Sequence, residues 1–257
     1  NTRLGEIYEK TYEDENIMLL NKRPGVLVHE DKDGEENTLI MHVQAYLCQK
    51  GEYSPADEQS FAPALCNRID RNTGGIVIAA KNAAALRDMN ERIRSGQVSK
   101  FYLCAVHGRM PKKSDILEGW LRKDNKTNTV TVSDTAQPVK YGWRQIKTGY
   151  RVIGEAGGDS LLEIELFTGR THQIRAHFSS IGHPLLGDGK YGTNKLNKEF
   201  GYKKQFLYSY KLIFNFDEEA GLYANGELYS TEDIYGKEGY FVALTIEDYK
   251  NSIKNMK

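Results

Sequence analysis

The chain has little cysteine, no long apolar run and no net charge, and each scarcity narrows what it does. Cys48, Cys66 and Cys104 are odd in number and have no metal-ligand spacing. They fit neither a disulfide framework nor a zinc site and read as reduced thiols of a cytosolic protein. No apolar stretch approaches the ~20 residues of a membrane-spanning helix, and no signal-peptide pattern opens the chain. Lys and Arg number 35, and so do Asp and Glu, which argues against a protein that grips a polyanion by bulk charge alone. Internal repeats, low-complexity tracts, a Walker pattern and a Gly-x-Ser-x-Gly elbow are also missing.

What is present is segregated. Acids cluster at Glu13-Asp14-Glu15, Asp31 to Glu36 and Asp217-Glu218-Glu219. Bases cluster at Arg87 to Lys100, Lys112-Lys113, Arg122 to Lys126 and Lys195 to Lys204, so a one-sided basic surface is compatible with zero net charge. The 257 residues suffice for a full core. Residues 1–12 are polar and aperiodic and read as a leader or linker end. Residues 13–257 read as a single domain, with 222–257 as a C-terminal extension of two or three weak strands.

Local patterns give the elements. Ile17 to Leu20 and Val26-Leu27-Val28 read as short strands separated by the turn Arg23-Pro24-Gly25. Asn37 or Thr38 caps a helix with Ile40, Val43 and Leu47 on one face. Asn82 caps a second, with Leu86, Met89 and Ile93 inward, Arg87, Arg92 and Arg94 outside that stripe, and Gly96 as its stop. Lys100 to Val106 and Phe206 to Phe216 read as strands, Trp120 to Trp143 as strands with polar turns, and Tyr150 to Phe167 as a hairpin. Thr171 caps a short helix that buries Ile174, Phe178 and Ile181 before Gly182. Strands outnumber helices and neighbour one another in sequence. The expected class is therefore α+β, with a mixed, mostly antiparallel central sheet flanked by helices and loops.

The densest chemistry lies in Asn67-Arg68-Ile69-Asp70-Arg71-Asn72-Thr73-Gly74-Gly75, which opens onto the apolar run Ile76 to Ala80. An acid in a tight turn against a buried strand is held still yet reachable, although Asp before Asn-Thr-Gly-Gly is also an ordinary turn former. Arg170, His172, Gln173 and Arg175 crowd a helix start, where the macrodipole favours acids. That local conflict marks either a functional site or a plain surface helix. His172, His177 and His183 are spaced by five and six, which puts no two on one helix face, so no metal is expected. Gly187 to Gly192 formally matches a dinucleotide fingerprint but lacks the strand and helix that should surround it. Tyr102 is either core or an aromatic face for a flat ring, with a hydroxyl able to accept a proton.

Taken together, these segments resemble the RluA-type pseudouridine synthases, which modify ribosomal and transfer RNA. The resemblance runs from about Tyr12 to Phe216. It rests on Asp14 to Val26, Asn67 to Gly75, Lys100-Phe101-Tyr102, Gly169 to His177 and Gly182 to Asp188. Asn67 stands where that family's motif usually has His, and Gly74 where it has Ser. The resemblance implies that Asp70 is the catalytic aspartate, as nucleophile or base, that Tyr102 stacks on the uracil, and that Arg175 is the basic partner of Asp70. It implies that Arg68 helps flip the target nucleotide, with Arg170 and His172 on the RNA.

It further implies a cofactor-free, metal-free isomerase acting on RNA, ribosomal first and transfer second, as a cytoplasmic monomer away from membranes. Family members commonly carry a small RNA-binding domain ahead of the catalytic one, and the chain begins too late to hold it, so the expectation is either a piece of a longer protein from which an N-terminal RNA-binding domain is missing or a form without that domain. Two rival readings stay open at this stage: a non-catalytic RNA-binding module on the same fold, and a small-molecule enzyme built on the Gly187 to Gly192 loop.

Overall fold

Alternating and continuous apolar stretches become, in the computed structural model, a strand-rich fold with short helices. It describes residues 7–30, 34, 37–192, 194–199, 204–216, 222–224, 227–229, 240–242, 246–247 and 250–251. In chain order the elements are β1 (Tyr8–Glu13), β2 (Ile17–Lys22), α1 (Leu39–Gln49), β3 (Ala64–Leu65), β4 (Gly74–Ala80), α2 (Ala83–Arg94), β5 (Val98–Val106), β6 (Ser114–Asp124), β7 (Thr129–Ser133), β8 (Arg144–Ala156), β9 (Asp159–Leu166), α3 (Gln173–Ser180), α4 (Asn194–Glu199), β10 (Leu207–Phe214), β11 (Leu222–Ala224), β12 (Glu227–Tyr229) and β13 (Tyr240–Val242). The chain forms two units, Asn1–Ser99 with Ser209–Ala243, and Lys100–Tyr208 with Leu244–Lys257.

In the first unit the strand order is β1-β2-β4, with β3 also on β4 and β13 on β10. Every residue of β4 is buried, which explains why its sequence runs apolar without alternation: a strand covered on both faces has no polar side. Ile17, Leu19, Ile76, Ile78, Ala85, Met89, Val98, Leu212 and Phe214 form the core under α2. Asn82 caps α2 by accepting from the Ala85 amide at 2.8 Å, and Gly96 follows the helix at φ +78°.

The second unit runs β5-β9-β8-β6-β7, with each neighbouring pair antiparallel. β8 and β9 form the expected hairpin around Gly157 and Gly158. α3 packs one face against β6, β7 and β8, where Ala176 meets Leu121, Val130 and Ile146. The α+β class with mostly antiparallel pairing is the one the sequence indicates. No helix among the described residues is long and apolar enough to cross a membrane.

Several expectations are corrected. Residues 8–12 are not leader but belong to β1, whose Glu13 carboxylate accepts from Lys10, Lys50, Lys81 and the Tyr46 hydroxyl at 2.6–3.1 Å; residues 1–6 lie outside the described ones. Val26 to Val28 is not a strand. The Leu27 and Val28 carbonyls instead accept from the Leu39 and Ile40 amides, so this segment serves the orphan donors of α1, where Thr38 makes no side-chain cap. Arg92, expected outside the apolar stripe of α2, is 2% exposed. Asp88 takes its Nε–H at 2.7 Å, Gln97 its Nη1–H at 2.9 Å, and the Phe216 ring lies 3.9 Å from its guanidinium. Ile181 is exposed rather than core. Of the expected weak strands in the tail, only β11 to β13 fall within the described residues.

Candidate active site

Asp70 sits in a turn that the first unit fastens at both ends. Asn67 continues the ladder of β4 with its side chain, accepting from the Ile78 amide at 2.7 Å and donating to the Ile76 carbonyl at 3.4 Å. The Asp70 carbonyl accepts from the Thr73 amide at 3.0 Å and closes the turn, and the Arg71 carbonyl accepts from the Gly25 amide at 2.7 Å. Gly75 leaves the turn at φ +118°, where an added Cβ would strike the backbone of Ser209, so only glycine lets β4 pass there. Buried Ile69 pins the turn inward, Asp70 is half-buried beside it and Arg68 is exposed.

Beneath this turn lies Lys22, which is 0% exposed. Its ammonium donates to the carbonyls of Arg23 at 3.0 Å, Val26 at 2.7 Å and Arg71 at 3.0 Å, so three donors meet three acceptors. Burial pulls its pKa down to about 7, while the negative charge of Asp70 opposes that shift. Lys22 therefore ties the Arg23 to Val26 turn to the Asp70 turn through one buried group.

The second cluster belongs to the second unit. Thr171 does not cap α3; His172 holds that position in the left-handed region, φ 52° and ψ 21°, with no side-chain cap. Its Nδ1 lies 2.7 Å from the Tyr191 hydroxyl. The organising donor and acceptor set is that of buried Gln173. Its Oε1 accepts from the Thr168 hydroxyl at 2.9 Å and the Arg170 amide at 3.1 Å, and its Nε2 donates to Thr148 Oγ1 at 3.0 Å. That hydroxyl meets His177 Nδ1 at 2.9 Å, and the ring also meets the Glu118 backbone. Burial pushes His177 down to about 4, against the smaller upward pull of that backbone bond, so its ring is neutral.

Arg175, 7% exposed, lays its Nε at 2.7 Å and Nη2 at 3.0 Å on the two carboxylate oxygens of Asp188, and its guanidinium lies 5.1 Å from the Tyr191 ring centre. Tyr102 is buried on β5 opposite Ile164. Arg170 is exposed just ahead of α3.

Thus Asp70 and Arg68 share one turn of the first unit, whereas Tyr102, Arg170, His172 and Arg175 lie in the second. His172 and Arg175 share Tyr191. Two charged partners escaped the sequence reading. Lys22 had a signal: it falls in step with Met18 and Leu20 on one buried face of β2. Asp188 had none, since only folding brings it to Arg175. No group of three or more potential metal ligands occurs among the described residues. In the glycine loop, the amides of Lys190 and Tyr191 donate to the Asp188 carboxylate, that of Gly192 to its carbonyl and that of Gly187 to Asn197 Oδ1. Those amides are spent inside the protein rather than aimed at a phosphate.

Residues 16–180, which include the Asp70 turn, β5 and α3, match the family described as RNA pseudouridylate synthase. The chain is 32% identical over 210 residues to an uncharacterized RNA pseudouridine synthase of Mycoplasma genitalium, covering 79% of this chain and 62% of that one. It is 32% identical over 212 residues to ribosomal large subunit pseudouridine synthase D of Zymomonas mobilis, covering 80% and 64%. Its fold is similar to that of human RNA pseudouridylate synthase domain containing 4, with a TM-score of 0.66 at 20% identity over 96% of this chain and 92% of the other. The chain thus spans less than two thirds of the length of these sequence relatives.

Proposed function

Because the chain belongs to the RNA pseudouridylate synthase family, we propose that it isomerises uridines to pseudouridine in RNA, with large-subunit ribosomal RNA as its first substrate and transfer RNA as the second class to test. The observation that carries this reading is the anchored turn that bears the Asp70 carboxylate, set in the matched span just ahead of a fully buried strand. Similarity to synthases named for the ribosomal large subunit supports the choice of RNA.

The reaction cleaves the bond between uracil N1 and ribose C1′, turns the base and rejoins C1′ to carbon-5, whose proton is released to water while N1 takes one up. Nothing is oxidised or reduced, so the residues need supply only positioning, a nucleophile or base, and charge. A stacked base cannot turn, so the uridine leaves the helix first, and exposed Arg68 offsets part of that cost. Asp70 acts as the nucleophile or base. Arg175 supplies the cation assigned to that carboxylate, and Tyr102 holds the uracil ring. Arg170 and His172 contact the RNA. The protein works as a cytoplasmic monomer.

Transcripts of large-subunit ribosomal RNA and transfer RNA, incubated with the protein and digested to nucleosides, test this by mass spectrometry. New pseudouridine from one RNA class supports the reading. RNA that binds tightly yet gains none favours the non-catalytic module.

A further inference from the structure

Asp188 sits 0% exposed in the Gly187 to Gly192 loop, and the work of that loop is to present its carboxylate to Arg175. Oδ2 accepts from Arg175 Nε at 2.7 Å. Oδ1 accepts from Arg175 Nη2 at 3.0 Å, from the Lys190 amide at 2.9 Å and from the Tyr191 amide at 3.0 Å. Burial alone raises the Asp188 pKa, but Arg175 and the two amides outweigh it and hold the carboxyl below the ordinary range, so the pair is ionic. The loop is clamped in turn. Asn197 accepts from the Gly187 amide at 3.0 Å and donates to the Asp188 carbonyl at 2.9 Å. Gly187, at φ +75°, passes against the Lys204 carbonyl with no room for a Cβ.

We propose that Asp188 is a positioning residue for Arg175: it grips the Nε–Nη2 edge of the guanidinium and so fixes the orientation of the Nη1 edge. This rests on the role given to Arg175 above. A side-on, two-bond grip fixes the plane of a guanidinium as well as its place, which a single ion pair would not do. Gly187 and Gly192, whose added Cβ atoms would strike the backbone of Lys204 and of Asp188, are thereby explained as the scaffold of one carboxylate.

Two readouts test it. The first needs no RNA: hydrogen exchange of the Arg175 Nε–H in nitrogen-15-labelled protein, assigned with Arg175→Lys. It should be strongly slowed in the wild type relative to exposed Arg94 and unprotected in Asp188→Asn. Exchange as fast as Arg94 in the wild type overturns the proposal. The second is turnover. Asp188→Asn should lower kcat ~100-fold with KM within a few-fold, the scale of a misplaced reacting group, and should add no more than a few-fold in an Arg175→Lys background. An undiminished effect in that background overturns it.

Should Asp188→Asn fail to fold, Asn197→Ala takes its place, because it loosens the loop and leaves both charges. It should lower kcat with Arg175 present and not with Arg175→Lys, and equal losses in both overturn the proposal. If wild type turns over no uridine in any RNA, the synthase reading fails, and the exchange of the Arg175 Nε–H alone decides the role of Asp188.

Discussion

Lys22 and Asp70 show how much of the site is set by single groups. Lys22→Met keeps the stem and removes the ammonium, taking their lysine donor from the carbonyls of Arg23 and Val26, while that of Arg71 keeps the Gly25 amide. At 1–3 kcal/mol for a buried unpaired group, partly offset by the lost desolvation of the charge, a loss of about 3 kcal/mol is expected in urea unfolding. Turnover should fall with it although Asp70 is untouched. A stability loss below about 0.5 kcal/mol contradicts the structural role given to Lys22. Tyr102 divides its two proposed uses by substitution: Tyr102→Phe stays partly active if the ring carries the role and fails if the hydroxyl is the base. Rates of Tyr102→Leu equal to wild type would remove Tyr102 from the reaction. At this scale the sequence was informative where chemistry is local. Asp70, in a Gly-terminated turn against an apolar run, could be singled out by inspection. Arg175 could be singled out by its misfit at a helix start, but Asp188, thirteen residues away, becomes its partner only through the path of the chain.

Elements are legible where one signal dominates and illegible where distant residues decide. β4 announced itself by seven small or apolar residues in a row, and α2 by Asn82 and Gly96. The Val26 to Val28 triplet is as apolar as a strand, but its carbonyls are recruited by the amides of α1, a use no local pattern encodes. Arg92 looked solvent-facing because its cover, the ring of Phe216, arrives more than a hundred residues later. His172 displaced Thr171 from the start of α3 because its ring reaches Tyr191 from the left-handed conformation. The junction between the Asp70 turn and β4 makes the strongest prediction for an element. Gly75→Ala combines φ +118° with a Cβ driven into the Ser209 backbone. It should cost at least about 2 kcal/mol and lower the unfolding midpoint, whereas Ala at exposed Gly158, also at positive φ but with open space, should cost less. Equal losses would contradict the close approach.

For the whole molecule, acid sensitivity is the global readout of buried His177. The unfolded ring titrates near 6.5 and the folded one at about 4. Above 6.5 both states are neutral and nothing is lost. Between 6.5 and 4 the unfolded chain binds a proton that the folded chain refuses, so stability falls as pH falls. The gap amounts to about 3 kcal/mol by pH ~4. His177→Gln should flatten this part of the stability profile in urea titrations, and an unchanged slope would contradict the buried neutral ring. Asp188 contributes below that range, since its carboxyl is held under the ordinary one and its stabilisation is lost only as pH falls further.

The central claim is that the Asp70 carboxylate converts uridine to pseudouridine, and carbon-5 reports on it directly because its hydrogen must leave. The decisive measurement is tritium release from RNA labelled at carbon-5 of uridine, with wild type and Asp70→Ala compared on the same ribosomal and transfer RNA transcripts and with RNA binding measured in parallel. Wild type should release tritium and Asp70→Ala none, with binding within a few-fold for both. Release by Asp70→Ala at a rate near wild type would contradict the claim.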